Sequence, residues 1–127
     1  MTISSMSQDS HPQQKELIWS RSEKTVARTA FDAALGRELH EVIQKTRQMA
    51  NAIQQSADLW DLEHYLSQRR KEIDRKYEYR YSRLTEVFGR LLHERRLSAQ
   101  ELHGLRKDKL KSIRFLAKFL PEMDSVA

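Results

Sequence analysis

The chain has 127 residues, 39% apolar and 32% charged, with a net charge of +5, three glycines and two prolines. That length fits one domain, and so few turn residues argue for long surface helices over a sheet. The lack of cysteine excludes disulfides and thiol chemistry, and no apolar run reaches the ~20 residues that span a bilayer.

The polar start, with Thr2, Ser4, Ser5, Ser7 and Gln8, has no apolar signal segment, so a cytoplasmic protein is expected. His11-Pro12-Gln13-Gln14 follows with no helical period, which predicts a disordered arm over 1–19. Ser20 with Glu23 three residues on is a capping box that opens a helix. Behind it Val26, Ala27, Ala30, Phe31, Ala34, Leu35, Leu39, Val42, Ile43, Met49 and Ile53 recur every three or four positions. The stripe predicts one core-facing helix over about 21–54.

Gln54-Gln55-Ser56-Ala57 interrupts the stripe, and Asp58 is the expected N-cap of the next helix. From there the apolar positions are Leu59, Leu62, Leu66, Ile73, Tyr77, Leu84, Phe88 and Leu91. Leu59, Leu62, Leu66 and Ile73 fit a heptad seam, and Arg69 stands where another apolar residue belongs. No proline intervenes before Arg96, so a single helix over about 58–96 is predicted, ~55–60 Å long. Whether it kinks near residues 76–81 stays open. A helix of that length outruns the core of one copy. It needs a coiled-coil-like partner, either the first helix, a second subunit, or both.

Ser98 and Glu101 form a second capping box, flanked by Leu97 and Leu102 as a hydrophobic staple. A helix over about 98–120 is predicted, with Leu105, Leu110, Ile113, Leu116 and Phe119 buried and Pro121 as its stop. Residues 85–120 thus read as a helical hairpin capping the long helix. The expected organisation is one all-α domain over 20–120 and a tail over 121–127.

The residues carry little sign of catalysis. His11, His40, His64, His93 and His103 have no zinc-type spacing to a second ligand. Asp58, Asp61, Glu63 and His64 cluster at a helix start, where the dipole alone attracts acids. There is no nucleophile–base pair, phosphate loop or cofactor fingerprint, so no enzymatic activity, cofactor or small-molecule substrate is expected. Arg69-Arg70-Lys71, Arg95-Arg96 and Tyr77, Tyr79 and Tyr81 suggest nucleic acid, but Glu72, Asp74 and Glu78 alternate with them, as on a solvated, salt-bridged face. The basic positions do not oppose a purely apolar face, which argues against a membrane-surface helix. Residues 69–96 hold ten Lys/Arg against five Asp/Glu, and 103–118 hold six against one. An acidic partner would therefore meet the C-terminal half. Trp60 is either packed in a helix junction or paired with Arg70 in an interface, where Trp and Arg are favoured anchors.

Asp58-Leu59-Trp60, Leu62, Tyr65-Leu66-Ser67, Arg70, Glu72-Ile73-Asp74, Lys76-Tyr77 and Arg80 resemble the most characteristic segment of the fluorescence recovery protein family. A looser likeness runs through Val87-Phe88, Ala99-Gln100-Glu101-Leu102, Asp108-Lys109 and Ile113. The resemblance implies an all-α fold, a long antiparallel helical stalk with a small helical head, assembled as a coiled-coil-like homodimer. It implies a partner, the photoactivated orange carotenoid protein, bound at its C-terminal domain. The expected effect is a faster return to the orange form and release from the phycobilisome, which ends photoprotective quenching. It places partner or dimer contacts on Trp60, Glu63, His64, Arg70 and Phe88, and the dimer seam on Leu59, Leu62, Leu66 and Ile73. The family's His-Asp pair is replaced by Glu63-His64, an apolar contact position falls on Glu86, and a Lys position falls on Ser112. These departures leave a second reading, a helical dimeric adaptor of the same fold serving another protein where phycobilisomes are absent.

Overall fold

The structure is a computed structural model that describes residues 18–121. The predicted arm and tail fall mostly outside the described residues. Among those described, the chain forms α1 (Arg21–Asn51), α2 (Ser56–Lys76), α3 (Leu84–His93), a 3-10 helix (Ala99–Leu102) and α4 (Lys107–Phe119), with no strand. The all-α architecture expected from composition and resemblance is the one observed.

The first capping box forms as read. The Ser20 N–H donates to Glu23 Oε1 at 3.0 Å, and the Glu23 N–H returns a bond to the Ser20 hydroxyl at 3.1 Å. Glu23 does more than cap. Its carboxylate also accepts from the Arg106 N–H at 2.8 Å and from Lys109 Nζ at 3.2 Å, while Lys109 Nζ reaches the Ile18 carbonyl at 2.7 Å. Both charged residues are buried, and only such full pairing makes that tolerable. Trp19, the last residue of the predicted arm over 1–19, is buried, its ring 4.9 Å from the Lys109 ammonium. Core packing among the described residues therefore includes a residue before the predicted boundary at 20.

The first half of α1 supplies Ala27, Ala30, Phe31 and Ala34 to the core. Small alanines let the rest approach closely. Past Glu38 nothing on α1 is fully buried, and α2 buries no residue at all. These two segments run antiparallel as a stalk, joined by a short turn. Asp58 is not the N-cap of α2. Gln55 is, and the Asp58 carboxylate reaches back from the third helical position to the N–H groups of Gln54 and Gln55 at 3.0 and 3.3 Å.

The predicted continuous helix over 58–96 is broken. It stops at Lys76, and Tyr77 leaves helical geometry with ψ 72. Tyr77, Tyr79 and Tyr81 are the cause, because every second residue of a non-helical chain points the same way. Tyr77 and Tyr79 meet the Phe31 ring edge-on at 5.5 and 4.9 Å, and Tyr81 lies 5.7 Å from Trp19. A helix would have spread the three rings round its circumference.

Leu84, Val87, Phe88 and Leu91 of α3 enter the core with Leu97, Leu102, Leu105 and Ile113. Helices α3 and α4 form a hairpin, as read from residues 85–120. They pack so closely at Gly89 that a Cβ there would lie 2.8 Å from Leu116 Cβ. The predicted helix over 98–120 is split. Gly104 takes φ 111, with Val26 Cγ2 only 3.0 Å from where a Cβ would stand, so the 3-10 turn ends and α4 restarts at Lys107. Leu105 and Ile113 are buried as expected, but Phe119 is not: it is 64% exposed.

Candidate functional site

At 100° per residue, Leu59, Leu62, Leu66 and Ile73 occupy an arc of roughly 60° on α2. Leu59 and Leu66 are exposed, Leu62 and Ile73 half-buried. Leu39 and Ile43 of α1 are also exposed, at 43% and 48%. The stalk thus carries an uncovered apolar strip on both of its helices.

Beside this strip, Trp60 is 63% exposed, so the packed helix-junction reading of that residue does not hold within the single chain. Glu63 accepts from the Ser67 hydroxyl at 3.0 Å, and His64 stands in solvent. Arg70 reaches only Asp74, at 3.9 Å, both side chains being largely exposed. Glu63 and Arg70 flank the seam, with Trp60 and His64 farther round the helix. Phe88 does not join them. It is fully buried in the head, so its part is packing, and direct contact with a partner is excluded in this conformation.

Sequence reading missed the polar centre that fastens stalk to head. Glu38, fully buried on α1, faces Arg69 Nη2 at 2.8 Å, Lys76 Nζ at 2.9 Å, Arg96 Nε at 3.1 Å and the Tyr77 hydroxyl at 2.9 Å. Glu94 closes the network, with Lys76 at 2.7 Å and Arg90 and Arg96 each at 2.9 Å. Five segments of chain converge on two carboxylates. The one visible trace in the sequence was Arg69, an arginine interrupting an apolar seam; it turns inward to Glu38.

The charges shape one another. Burial would raise the Glu38 and Glu94 carboxyls, but bonds from Lys76 and the surrounding arginines outweigh it and hold both below the ordinary range, Glu94 at about 2. Burial and the facing Glu38 carboxylate push the Tyr77 phenol well up. Burial also raises Tyr79, with help from the Tyr81 hydroxyl, to about 12.

A depressed carboxyl stabilises the fold above its ordinary pKa, and that contribution is lost as protons bind. For Glu94 the window runs from the ordinary carboxyl value of 4.5 down to about 2. Across it, stability should fall by on the order of 2–3 kcal/mol from this group alone. Acid titration of unfolding, followed by circular dichroism, should show a shallower slope in that window for Glu94→Gln than for the wild type. Identical slopes would remove Glu94 from the account.

Among the described residues no group of three or more His, Asp or Glu converges to hold a metal ion, and no helix is long and apolar enough to cross a membrane. The stalk leaves an apolar strip open along both of its helices. The family described as the photoprotection regulator fluorescence recovery protein matches residues 19–117. The chain belongs to the fluorescence recovery protein family. The fluorescence recovery protein of Synechocystis sp. PCC 6803 is 40% identical over 106 residues, covering 84% of this chain and 97% of that one. The structure of the Fremyella diplosiphon protein superposes with a TM-score of 0.77 at 42% identity, and that of the Synechocystis protein with 0.77 at 39%. Each match covers 80% of this chain and all of the solved one. The family regulates photoprotection, and the resemblance carried by residues 58–80 extends over residues 19–117.

Proposed function

We propose that this chain is a non-catalytic regulator that binds a photoactivated orange-carotenoid-type photoreceptor as a homodimer and speeds its return to the orange form. The observation that carries the reading is the open stalk. A helix with no buried residue and an exposed Trp60 is unstable economy unless something covers it. A second copy laid along Leu59, Leu62, Leu66 and Ile73 does so, with the photoreceptor meeting Trp60, Glu63, His64 and Arg70. Both events take place in the cytoplasm.

The test mixes the protein with a photoactivated orange carotenoid protein and times recovery of the orange form in the dark. Recovery at the unassisted rate would reject the reading. Arg70→Leu should leave helix content and melting cooperativity intact, because Arg70 is exposed and paired only distantly. It should slow assisted recovery or weaken dimerisation by at least about tenfold, since Arg is suited to desolvated contacts. Full activity would return Arg70 to plain surface, where such changes stay within ~0.5 kcal/mol.

A second reading, the same dimer serving another protein, draws on Glu86. The apolar contact position of the family is occupied here by a carboxylate that pairs with Arg83 at 2.8 Å in solvent. A genome without a carotenoid-binding photoreceptor would favour it.

A further inference from the structure

We propose that Ser98 is a phosphorylation site, its phosphate held by Arg37 and Arg95 in the cleft between α1 and the turn that follows α3. Arg95-Arg96-Leu97-Ser98 sets an arginine three residues before a serine, the charge pattern by which arginine-directed kinases select a hydroxyl. The four residues lie outside every helix, and Ser98 is exposed on extended backbone, φ −100 and ψ 156. Leu97 is the buried side chain of the stretch, so opening this turn, with no helix unfolded, presents the whole motif. Ser82 also has arginine neighbours, but Arg80 is already paired with Glu78, and Arg83 with Glu78 and Glu86.

The open cleft, about 770 Å³, has Arg37, Arg95, Arg96, Ser98 and Glu101 in its lining. Arg96 is committed to Glu38, Glu41 and Glu94. Arg95 is exposed and has no acid partner among the described residues. Its backbone is left-handed, φ 63, where glycine would sit without strain. A strained position that carries an uncompensated guanidinium fits a site built for an anion. Arg37 faces the same spot from α1. Its fork holds Glu101 at 2.6 and 3.0 Å, and the Ser98 hydroxyl donates to one of the same carboxylate oxygens at 3.3 Å. A single oxygen thus stands between serine and guanidinium.

The kinase step moves the terminal phosphoryl group of a nucleoside triphosphate. Ser98 Oγ bonds to that phosphorus, the bridging P–O bond breaks toward the nucleoside diphosphate, and the hydroxyl proton goes to the kinase's base. The product places a charge of about −1.5 to −2 beside Glu101 and repels it. The Arg37 fork, which suits phosphate as well as carboxylate, passes to the phosphate, and Arg95 completes the clamp. Helix α1 stays fastened to the turn while Glu101 is released. The site stands apart from the Trp60 patch on α2 and does not rest on what binds there.

The test treats the full chain with an arginine-directed serine kinase and magnesium ATP, and locates the phosphate by peptide mass spectrometry. Phosphate should appear on Ser98 and be absent in Ser98→Ala. Arg95→Gly should slow its incorporation at least ~10-fold, with an unchanged or higher melting temperature, because glycine relieves the left-handed strain. That variant separates lost recognition from lost folding. In the phosphorylated protein, phosphorus NMR should place the second phosphate ionisation well below its ordinary value of about 6, and Arg37→Gln should bring it back up. Inorganic phosphate added to the unmodified protein should leave the melting temperature unchanged, since Glu101 still occupies Arg37. Phosphate on another residue, no phosphate at all, a phosphoserine that titrates as in a free peptide, or stabilisation by inorganic phosphate would each overturn the proposal.

Discussion

Glu38→Ala is expected to cost about 3–5 kcal/mol, the range for removing one member of a buried ion network. The reason is what the substitution leaves behind. Arg69, Lys76 and Arg96 would keep their charges in a site where their side chains are only 18%, 10% and 17% exposed. Glu94 can still neutralise Lys76 and Arg96, but Arg69 would retain only Glu72, at 2.7 Å on the exposed side. The Tyr77 hydroxyl would lose its carboxylate acceptor and keep only the Ala34 carbonyl at 3.2 Å. Since α2 has no buried residue of its own, the stalk should detach from the head first. Urea unfolding by circular dichroism should show a lower midpoint, and amide exchange should rise in α2 before α3 and α4. A loss below ~1 kcal/mol would mean that water replaces Glu38 without difficulty. Glu38→Gln should fall between the two, because its amide can accept one of the bonds but carries no charge.

The parts of this fold that were legible are those whose causes are local. Both capping boxes join residues three positions apart, so Ser20–Glu23 and Ser98–Glu101 could be read without tertiary knowledge. The absence of proline pointed to one helix over 58–96 and left a kink near 76–81 open, and there the chain leaves helical geometry altogether. Yet Tyr77, Tyr79 and Tyr81 at alternate positions already carried the two-residue period of non-helical chain. Gly104 lies inside the span read as one helix over 98–120, and its positive φ makes it a stop. Burial was the least legible quantity. Phe88 and Phe119 have the same side chain, and one is in the core while the other is in solvent. Lys109 and Glu23 look like surface residues and are buried together across 86 positions of sequence. Nothing in the spacing of such a pair distinguishes it from chance. The stalk patch was legible mainly through resemblance, and the polar centre behind it only as the misplaced Arg69.

Leu66→Glu should convert the protein from dimer to monomer while leaving the head folded. In the single chain Leu66 is 39% exposed, so the carboxylate costs the isolated fold little. Against a second copy it would sit in the middle of an apolar seam, flanked by Leu62 one turn before and Ile73 two turns after. Burying that charge without a partner costs several kcal/mol, beyond what one seam contact can offset. Lost apolar area adds about 2 kcal/mol for each leucine, and a twofold interface counts every substitution twice. Light scattering should give the wild type a mass about twice 15.1 kDa and the variant a mass near the single value at micromolar concentration. Leu66→Met, which keeps volume and polarity, should remain dimeric and controls for general fragility of the stalk. Far-UV dichroism separates the remaining outcomes. Retained signal with halved mass places the seam between copies, whereas loss of α2 helicity at unchanged mass would place Leu66 in intrachain packing. A monomeric wild type would reject the dimer outright, and with it the cover assigned to Leu59, Leu62, Leu66 and Ile73.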